Sequence, residues 1–200
     1  MTTTLLFVRH ASTLWTTPPS RYQGRTDLPL SVFGRLQAGQ LAHRLRAVKL
    51  DAIYSSPLRR ARETAILLAA NHGRMSLDTD KRIIELSYGD WEGKRHADVE
   101  KDEAAALTAW AAGIASPPGG ESRVSLMRRV GGFLEDVAGQ GTVAVVAHKE
   151  VIRAGAIALG VLHPEDYLML DVPCASIFSV VGEPGAWASL PAVAREPSRV

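Results

Sequence analysis

The sequence predicts an α/β fold, specifically a three-layer α/β/α sandwich around a mostly parallel central sheet. Two short apolar runs, residues 5–8 and 142–147, are too short for helices and suit strands buried on both faces. Strand-like and helix-like segments alternate along the rest of the chain, which is the pattern of a parallel sheet covered by helices. Because 200 residues suffice for one such domain and are few for two, a single domain over residues 1–200 is predicted.

Composition narrows the possible partners. The hydrophobic share of 46% and the charged share of 22% are ordinary for a soluble globular protein. A formal net charge of +2 gives no reason to expect a nucleic-acid or membrane surface. The single cysteine, Cys174, excludes an intrachain disulfide, and no signal-peptide pattern or membrane-length apolar stretch is found. We therefore expect a cytoplasmic protein. Trp187 is expected to be exposed, where it would either mark the interface of a homodimer or cover the edge of the core.

The first predicted strand ends in Arg9 and His10 and leads into a long loop over residues 15–30. Loops of this length in a compact domain are usually functional. Ser31 is a favourable N-cap, and the apolar spacing predicts a helix to about residue 48. The residues expected on its inner face are Phe33, Leu36, Leu41 and Leu45.

A second strand, residues 51–55, is followed by a serine–proline pair, which is a strong start signal for the next helix. Three arginines follow at once, where the helix dipole disfavours cations. Pairing with Glu63 one turn later accounts for Arg59 but not for Arg60. Arg60 is therefore expected to meet an anion.

The remaining elements follow in the same alternating manner. They are a short strand at 75–78, a glycine-punctuated acidic loop at 83–93, helices at 96–113, 123–137 and 149–159, and strands at 142–147, 175–181 and 187–193. Residues from Arg195 onward are expected to be loose.

Both fully apolar strands end in a histidine, His10 after the first and His148 after the second. Because the carboxyl ends of parallel strands meet at one edge of a sheet, the two imidazoles are expected to converge. Arg9 and Arg60 add guanidinium groups, whose planar forks suit phosphoryl oxygens. Two arginines and two histidines in one pocket would suit phosphoryl transfer.

Several motifs in a fixed order make the sequence similar to the histidine phosphatase superfamily, the phosphoglycerate mutase-like proteins. They are VRHA at 8–11, RYQG at 21–24, SPLRRARETA at 56–65, ELSYGDWEG at 85–93, PPGGES at 117–122 and VAH at 146–148. The resemblance covers nearly the whole chain. It implies the phosphoglycerate mutase-like form of the predicted fold, with a short helical cap at roughly 91–122.

The resemblance also implies residue roles. His10 would be the nucleophile that forms a phosphohistidine, with its other ring nitrogen donating to a backbone carbonyl. Glu85 would be the proton donor, with a pKa raised by burial or neighbouring negative charge. The residues expected to hold the phosphoryl group are Arg9, Arg60 and His148, and the further substrate-binding candidates are Thr16, Arg21, Gln23, Gly24 and Lys149. No cofactor and no metal is implied.

Three residues depart from the family pattern. Ala11 and Lys149 stand where glycine is usual, and Thr16 stands where asparagine is usual. Lys149 would either bind a second anionic group of the substrate or point to solvent. On chemistry alone Glu92 and Glu121 compete with Glu85 as the acid, and only the family pattern selects Glu85.

The expected activity is that of a metal-independent phosphomonoesterase acting on a small-molecule phosphate ester. The compact stretch after Glu85 resembles the phosphatase branch, which includes α-ribazole phosphatases and broad-specificity phosphatases. A cofactor-dependent phosphoglycerate mutase is the alternative, and a phospholigand-binding module without turnover is a further one. The pocket for the leaving group is expected between the loop at 15–30 and the cap at 91–122, where Arg21, Arg25, Trp91 and His96 are some of the many residues that could face it. Cys174 is expected to be a small core residue.

Overall fold

The computed structural model describes residues 1–73 and 75–190. In this part of the chain the strands are β1 (Thr3–Arg9), β2 (Ala52–Ser55), β3 (Leu77–Thr79), β4 (Thr142–Ala147), β5 (Ile177–Glu183) and β6 (Ala186–Ser189). The α-helices are α1 (Val32–Leu45), α2 (Arg59–Ala69), α3 (His96–Asp102), α4 (Ala104–Ala111), α5 (Arg123–Val137) and α6 (Lys149–Ala158). Within the same residues, no helix combines the length and the apolar content needed to cross a bilayer.

The six described strands form one sheet in the order β3-β2-β4-β1-β5-β6. The pairs β3–β2, β2–β4 and β4–β1 are parallel, whereas β5 and β6 add an antiparallel edge. The sheet is thus mostly parallel, as predicted. Its two central strands, β1 and β4, are the ones that end in the two histidines.

Alternate side chains of β1 enter opposite layers. Leu5 and Phe7 belong to a core cluster that includes Phe133 of α5. Leu6 and Val8 belong to the cluster on the other face, with residues of α1 and α2. A strand that is buried on both faces needs apolar residues at every position, which explains the unbroken run in the sequence. The three-layer α/β/α prediction is confirmed.

The predicted inner face of α1 is wrong in part. Phe33 and Leu36 are 59% and 63% exposed. The buried stripe instead consists of Gly34, Ala38, Leu41, Ala42 and Leu45. The small residues of this stripe let the helix approach the loop after β1 closely. A prediction based on the spacing of large apolar residues does not detect such a stripe.

That close approach gives a prediction about stability. A Cβ at Gly34 would overlap the backbone carbonyl of Ser12, whereas a Cβ at Gly39, on the exposed side of the same helix, meets no neighbouring atom. Gly34→Ala should therefore lower the free energy of unfolding by about 1–3 kcal/mol, the usual range for overpacking. Gly39→Ala is the matched control and should raise it by about 0.5–1 kcal/mol, because alanine favours the helix. Urea unfolding measures both changes, and equal effects would contradict this account of the packing.

Other element boundaries differ from the prediction. Helix α2 begins at Arg59, two residues after the predicted proline start. The helix predicted over 96–113 is two helices that break at Glu103, whose carboxylate binds the indole Nε1 of Trp91 and the Lys94 ammonium. The β5 strand begins two residues later than predicted, after Ala175, which has a φ of 57°.

Two expectations concern the C-terminal end of the chain. Trp187, expected to be exposed, is half-buried on β6 and packs against the core. Only the first part of the predicted strand at 187–193 lies within the described residues. The stretch from Arg195, expected to be loose, lies outside them.

Candidate active site

A cavity of about 580 Å³ lies at the carboxyl ends of the two central strands. Its walls come from the loop after β1, from α2, from the first turns of α6 and from the cap segment. The predicted site residues that line it are Arg9, His10, Thr16, Arg21, Gln23, Gly24, Arg60, Glu85 and Lys149. His148 is fully buried beside this wall, with its ring centroid 5.1 Å from that of His10.

His10 is held at both ring nitrogens. Its Nδ1 lies 2.8 Å from the backbone carbonyl of Ala11, so a proton on Nδ1 is donated there and Nε2 keeps its lone pair. The Arg60 Nε–H donates to that Nε2 over 3.2 Å. Burial, followed by the charges of Arg60 and Arg9, holds the pKa of His10 well below its usual value. The imidazole is therefore neutral, with a nucleophilic nitrogen in the cavity.

Ala11 fits the turn after His10 without strain. It is buried, its φ lies outside the left-handed region, and its N–H donates to Thr64 Oγ1 over 3.1 Å. The departure from glycine at this position therefore leaves the backbone beside the nucleophile intact.

The structure shows the contacts of Arg60, the arginine for which the sequence offered no partner. It is 1% exposed, and besides His10 it donates to the carbonyls of Gly24, at 2.7 Å, and Thr26, at 2.9 Å. Burial lowers its pKa to about 10, which leaves the guanidinium charged at neutral pH. One side chain of α2 thus fixes both the nucleophile and the long loop.

Two further donors lie beside His10. The Nη1 group of Arg9 donates to the carbonyl of Val172, while its buried Nε–H has no partner in the part of the protein that the structure describes. The Nε2 atom of His148 lies 2.7 Å from Ser56 Oγ, which itself accepts from the Leu58 N–H. Ser56 Oγ has no other acceptor among the described residues, so its hydroxyl proton is assigned to His148 Nε2. The proton of that ring is then on Nδ1, which has no hydrogen-bond partner among the same residues. Both N–H groups suit the oxygens of a phosphoryl group.

Glu85 is a buried carboxyl group in the cavity wall. Only one of its oxygens accepts a backbone hydrogen bond, from Leu86 N–H at 2.9 Å. Burial, together with the neighbouring charge of Glu150, raises the pKa of Glu85 to about 7, although Arg60 opposes the shift. A carboxyl with this pKa can both give and take a proton near neutrality.

The two competing carboxylates have structural contacts instead. Glu92 accepts from the Arg25 and Thr26 N–H groups and from the Thr26 hydroxyl, which holds the long loop against the cap segment. Glu121 forms ion pairs with Arg25 and Arg129. Neither lines the cavity described above. The geometry alone therefore separates Glu85 from the other two acids.

The remaining predicted binding residues shape the loop and the mouth of the cavity. The Thr16 hydroxyl accepts a hydrogen bond from the backbone N–H of Thr13 and donates one to its carbonyl. Gln23 Oε1 accepts from the Thr13 hydroxyl, which leaves the amide N–H₂ of Gln23 toward the cavity. Arg21 donates to the carbonyl of Gly93. Gly24 has a φ of 50°, and a Cβ there would overlap the Glu92 carboxylate.

Lys149 lies half-buried in the cavity wall rather than pointing away from it. Burial, with the nearby charges of Arg153 and Arg9, lowers the pKa of its ammonium. The sequence leaves the direction of this side chain open, whereas in the structure it lines the cavity.

The leaving-group pocket is only partly as expected. His96 and Arg21 line the cavity, but Trp91 is fully buried and Arg25 is engaged with Glu121. Cys174, expected in the core, is half-buried in the cavity wall. Two buried charged residues of α6, Glu150 and Arg153, line the same cavity and were not predicted from the sequence. The only signal for the first was a carboxylate two residues after a strand-end histidine.

Comparison with known proteins identifies the family of the chain. The family model described as "Histidine phosphatase superfamily (branch 1)" matches residues 5–192. Phosphoserine phosphatase 1 of Hydrogenobacter thermophilus is 39% identical over 163 residues, covering 78% of this chain and 75% of the relative. Glucosyl-3-phosphoglycerate phosphatase of Mycolicibacterium vanbaalenii is 34% identical over 205 residues, covering 93% and 90%.

Solved structures of similar proteins also include phosphatases. A mycobacterial glucosyl-3-phosphoglycerate phosphatase in complex with VO3 superposes with a TM-score of 0.87 at 32% identity, covering 96% of this chain and 99% of that one. The paired strand-end histidines and the two arginines lie at the cavity, and the family model matches almost the whole length of the chain. This chain therefore belongs to the histidine phosphatase superfamily, branch 1, as a phosphohydrolase.

Proposed function

We propose that the protein is a metal-independent phosphomonoesterase that hydrolyses a small phosphorylated metabolite through a phosphohistidine on His10. The observation that carries the proposal is the pairing in one cavity of a neutral, fixed imidazole with a buried carboxyl of pKa about 7. A nucleophile without a proton and an acid with one are the two protonation states that the first step needs.

In the first step, His10 Nε2 attacks phosphorus and the bond from phosphorus to the ester oxygen breaks. Glu85 gives its proton to that oxygen, so the leaving group departs as a neutral alcohol. The N–H groups of Arg9, Arg60 and His148 hold the phosphoryl oxygens while charge accumulates on them. The hydrogen bond from Arg60 Nε to His10 Nε2 passes to a phosphoryl oxygen as the nitrogen attacks.

In the second step, the Glu85 carboxylate takes a proton from a water molecule that attacks the phosphohistidine. The nitrogen–phosphorus bond breaks, inorganic phosphate is released, and His10 and Glu85 return to their starting states. Gln23 and Lys149, both in the cavity wall, are proposed to add contacts to the bound substrate.

The proposal favours hydrolysis over isomerisation. The two relatives described above carry the names of phosphatases, for phosphoserine and for glucosyl-3-phosphoglycerate. The cap segment is short, with α3 and α4 as its helices. Both features support a site in which water, rather than a second substrate hydroxyl, accepts the phosphoryl group.

The test separates the two reactions by their products. The protein is incubated with p-nitrophenyl phosphate, and separately with 3-phosphoglycerate and a trace of 2,3-bisphosphoglycerate. We expect inorganic phosphate from p-nitrophenyl phosphate and little 2-phosphoglycerate from the second mixture. Rapid isomerisation with negligible phosphate release would instead establish a mutase.

A further inference from the structure

The first turn of α6 carries an ion pair that the phosphoryl chemistry does not use. Arg153 Nη1 lies 3.2 Å from Glu150 Oε1, and the two residues are 4% and 2% exposed. Both residues line the cavity that contains His10. Charged groups are almost never buried this deeply unless the structure compensates them, so the pair needs an explanation.

The contacts of Arg153 show which of the two residues is available to a ligand. Its Nε donates to the carbonyl of Leu170 and its Nη2 to that of Leu168, at 3.1 and 3.0 Å. All three of its nitrogens are thus engaged with protein acceptors. Arg153 serves as a rigid support that fixes the position of the Glu150 carboxylate.

Glu150, in contrast, uses only half of its carboxylate. Oε1 faces Arg153, whereas Oε2 is buried and has no hydrogen-bond partner in the described part of the chain. The buried Tyr167 hydroxyl, which also has no partner among these residues, lies close enough to the Glu150 carboxylate for that group to raise the pKa of Tyr167, but it does not complete a hydrogen bond to Oε2. A buried carboxylate oxygen without a donor costs free energy, because it has lost its water and gained no hydrogen bond. In a residue of the cavity wall, the missing donor can come from a bound substrate.

We propose that Glu150 is a specificity-determining residue, whose Oε2 accepts a hydrogen bond from a hydroxyl or ammonium group on the leaving-group half of the phosphate ester. The proposal rests on the phosphomonoesterase function proposed above. A purely hydrocarbon leaving group would exclude water from Oε2 without donating a hydrogen bond to it. Sites built to pair a polar group discriminate strongly against analogues that lack it.

The electrostatic surroundings agree with this assignment. Arg9, Arg60 and Lys149 line the same cavity, and Glu85 holds a proton below a pKa of about 7. Glu150 is the other carboxyl group that lines the described cavity, and its Oε1 is paired with Arg153. Its Oε2 therefore marks the place where a donor on the substrate, neutral or cationic, is favoured.

The test uses isosteric phosphate esters that differ in a single terminal group. In the two-carbon series these are n-propyl phosphate, 2-hydroxyethyl phosphate and 2-aminoethyl phosphate, which carry methyl, hydroxyl and ammonium at the same place. A three-carbon series, with one methylene more, covers a longer reach to Glu150. The wild-type protein should show a kcat/KM about tenfold or more higher for a hydroxyl or an ammonium ester than for its methyl counterpart, as expected for a hydrogen bond to a charged acceptor.

Glu150→Gln should reduce this preference about tenfold or more, because the amide keeps the shape and loses the charge. The ratio between two esters on one variant is the decisive number. The substitution also changes the charge beside Glu85, but all of these esters are alkyl esters that need its proton, so this effect is similar for the two members of a pair and contributes little to the ratio. Glu135→Gln, an exposed residue of α5, is the matched control and should leave the ratio unchanged.

Each outcome decides between the proposals. Equal kcat/KM across both series in the wild type overturns the role of Glu150, as does a preference that survives in Glu150→Gln. If that variant does not fold, as circular dichroism would show, Glu150→Asp replaces it, and its shortened carboxylate should also weaken the preference. A larger gain for ammonium than for hydroxyl identifies the donor as cationic. Failure of the wild type to hydrolyse any ester, including p-nitrophenyl phosphate, would instead overturn the phosphomonoesterase function itself.

Discussion

Replacement of His10 by alanine should reduce phosphate release from phosphate monoesters by at least about 10⁴-fold, since loss of a nucleophile removes the covalent route altogether. No other side chain on the cavity wall holds an equivalent place. His148 is fully buried beside this wall, and its Nε2 is engaged with Ser56. The arginines and the oriented N–H groups would remain, so the variant should still bind inorganic phosphate.

The measurement combines turnover with covalent trapping. Wild-type protein quenched during hydrolysis of a ³²P-labelled ester should carry acid-labile label, whereas His10→Ala should carry none. His43→Ala, on the exposed side of α1, is the matched control and should retain wild-type turnover and labelling. Turnover of His10→Ala within tenfold of the wild-type value would contradict the mechanism. Phosphate binding without label in the wild type would favour a binding module.

Glu85→Gln should have a large effect whose size depends on the leaving group. An alkyl ester leaves as a strongly basic alkoxide and needs the proton, so its hydrolysis should fall by about 10²–10⁴-fold, the usual contribution of a general acid. p-Nitrophenolate is a stable anion that needs little protonation, so formation of the phosphohistidine from its ester should fall far less. Burst kinetics with p-nitrophenyl phosphate would show this difference directly, and equal losses on both substrates would refute the role of Glu85 as the acid.

The same carboxyl predicts the pH dependence. Glu85 is protonated below a pKa of about 7, and His10 stays neutral well into the acid range because its pKa is lowered. The value of kcat/KM for an alkyl ester should therefore fall as the pH rises through about 7. On the acid side it should fall only below the lowered pKa of His10. In Glu85→Gln the decrease near pH 7 should disappear, and a wild-type rate that rises through this range would contradict the assignment.

Much of the scaffold could be predicted because it depends on local patterns. The strand β4 and the helix α5 have the bounds that the sequence indicated, since an unbroken apolar run and a regular 3.6-residue stripe are both strong signals. The convergence of His10 and His148 followed from topology, because both strands end at the same edge of a parallel sheet.

The rest depended on contacts between distant parts of the chain. The break at Glu103 reflects its bonds to Trp91 and Lys94, which no helical periodicity reveals. Glu150 was missed because a glutamate in the first turn of a helix is ordinarily a solvated residue favoured by the helix dipole. Its burial appears only when the Arg153 guanidinium is placed over it by the carbonyls that follow α6.

Arg60 has a consequence for redesign of this protein. The same guanidinium aligns the attacking nitrogen of His10 and fastens the carbonyls of Gly24 and Thr26. Replacing the loop between residues 15 and 30 by another sequence would therefore shift the position of His10 Nε2, unless the new loop placed carbonyl acceptors where Gly24 and Thr26 have theirs. A change in this loop that alters the substrate range would therefore also alter the reaction rate. Substitutions in the cap helices α3 and α4 are the better way to change the substrate range alone.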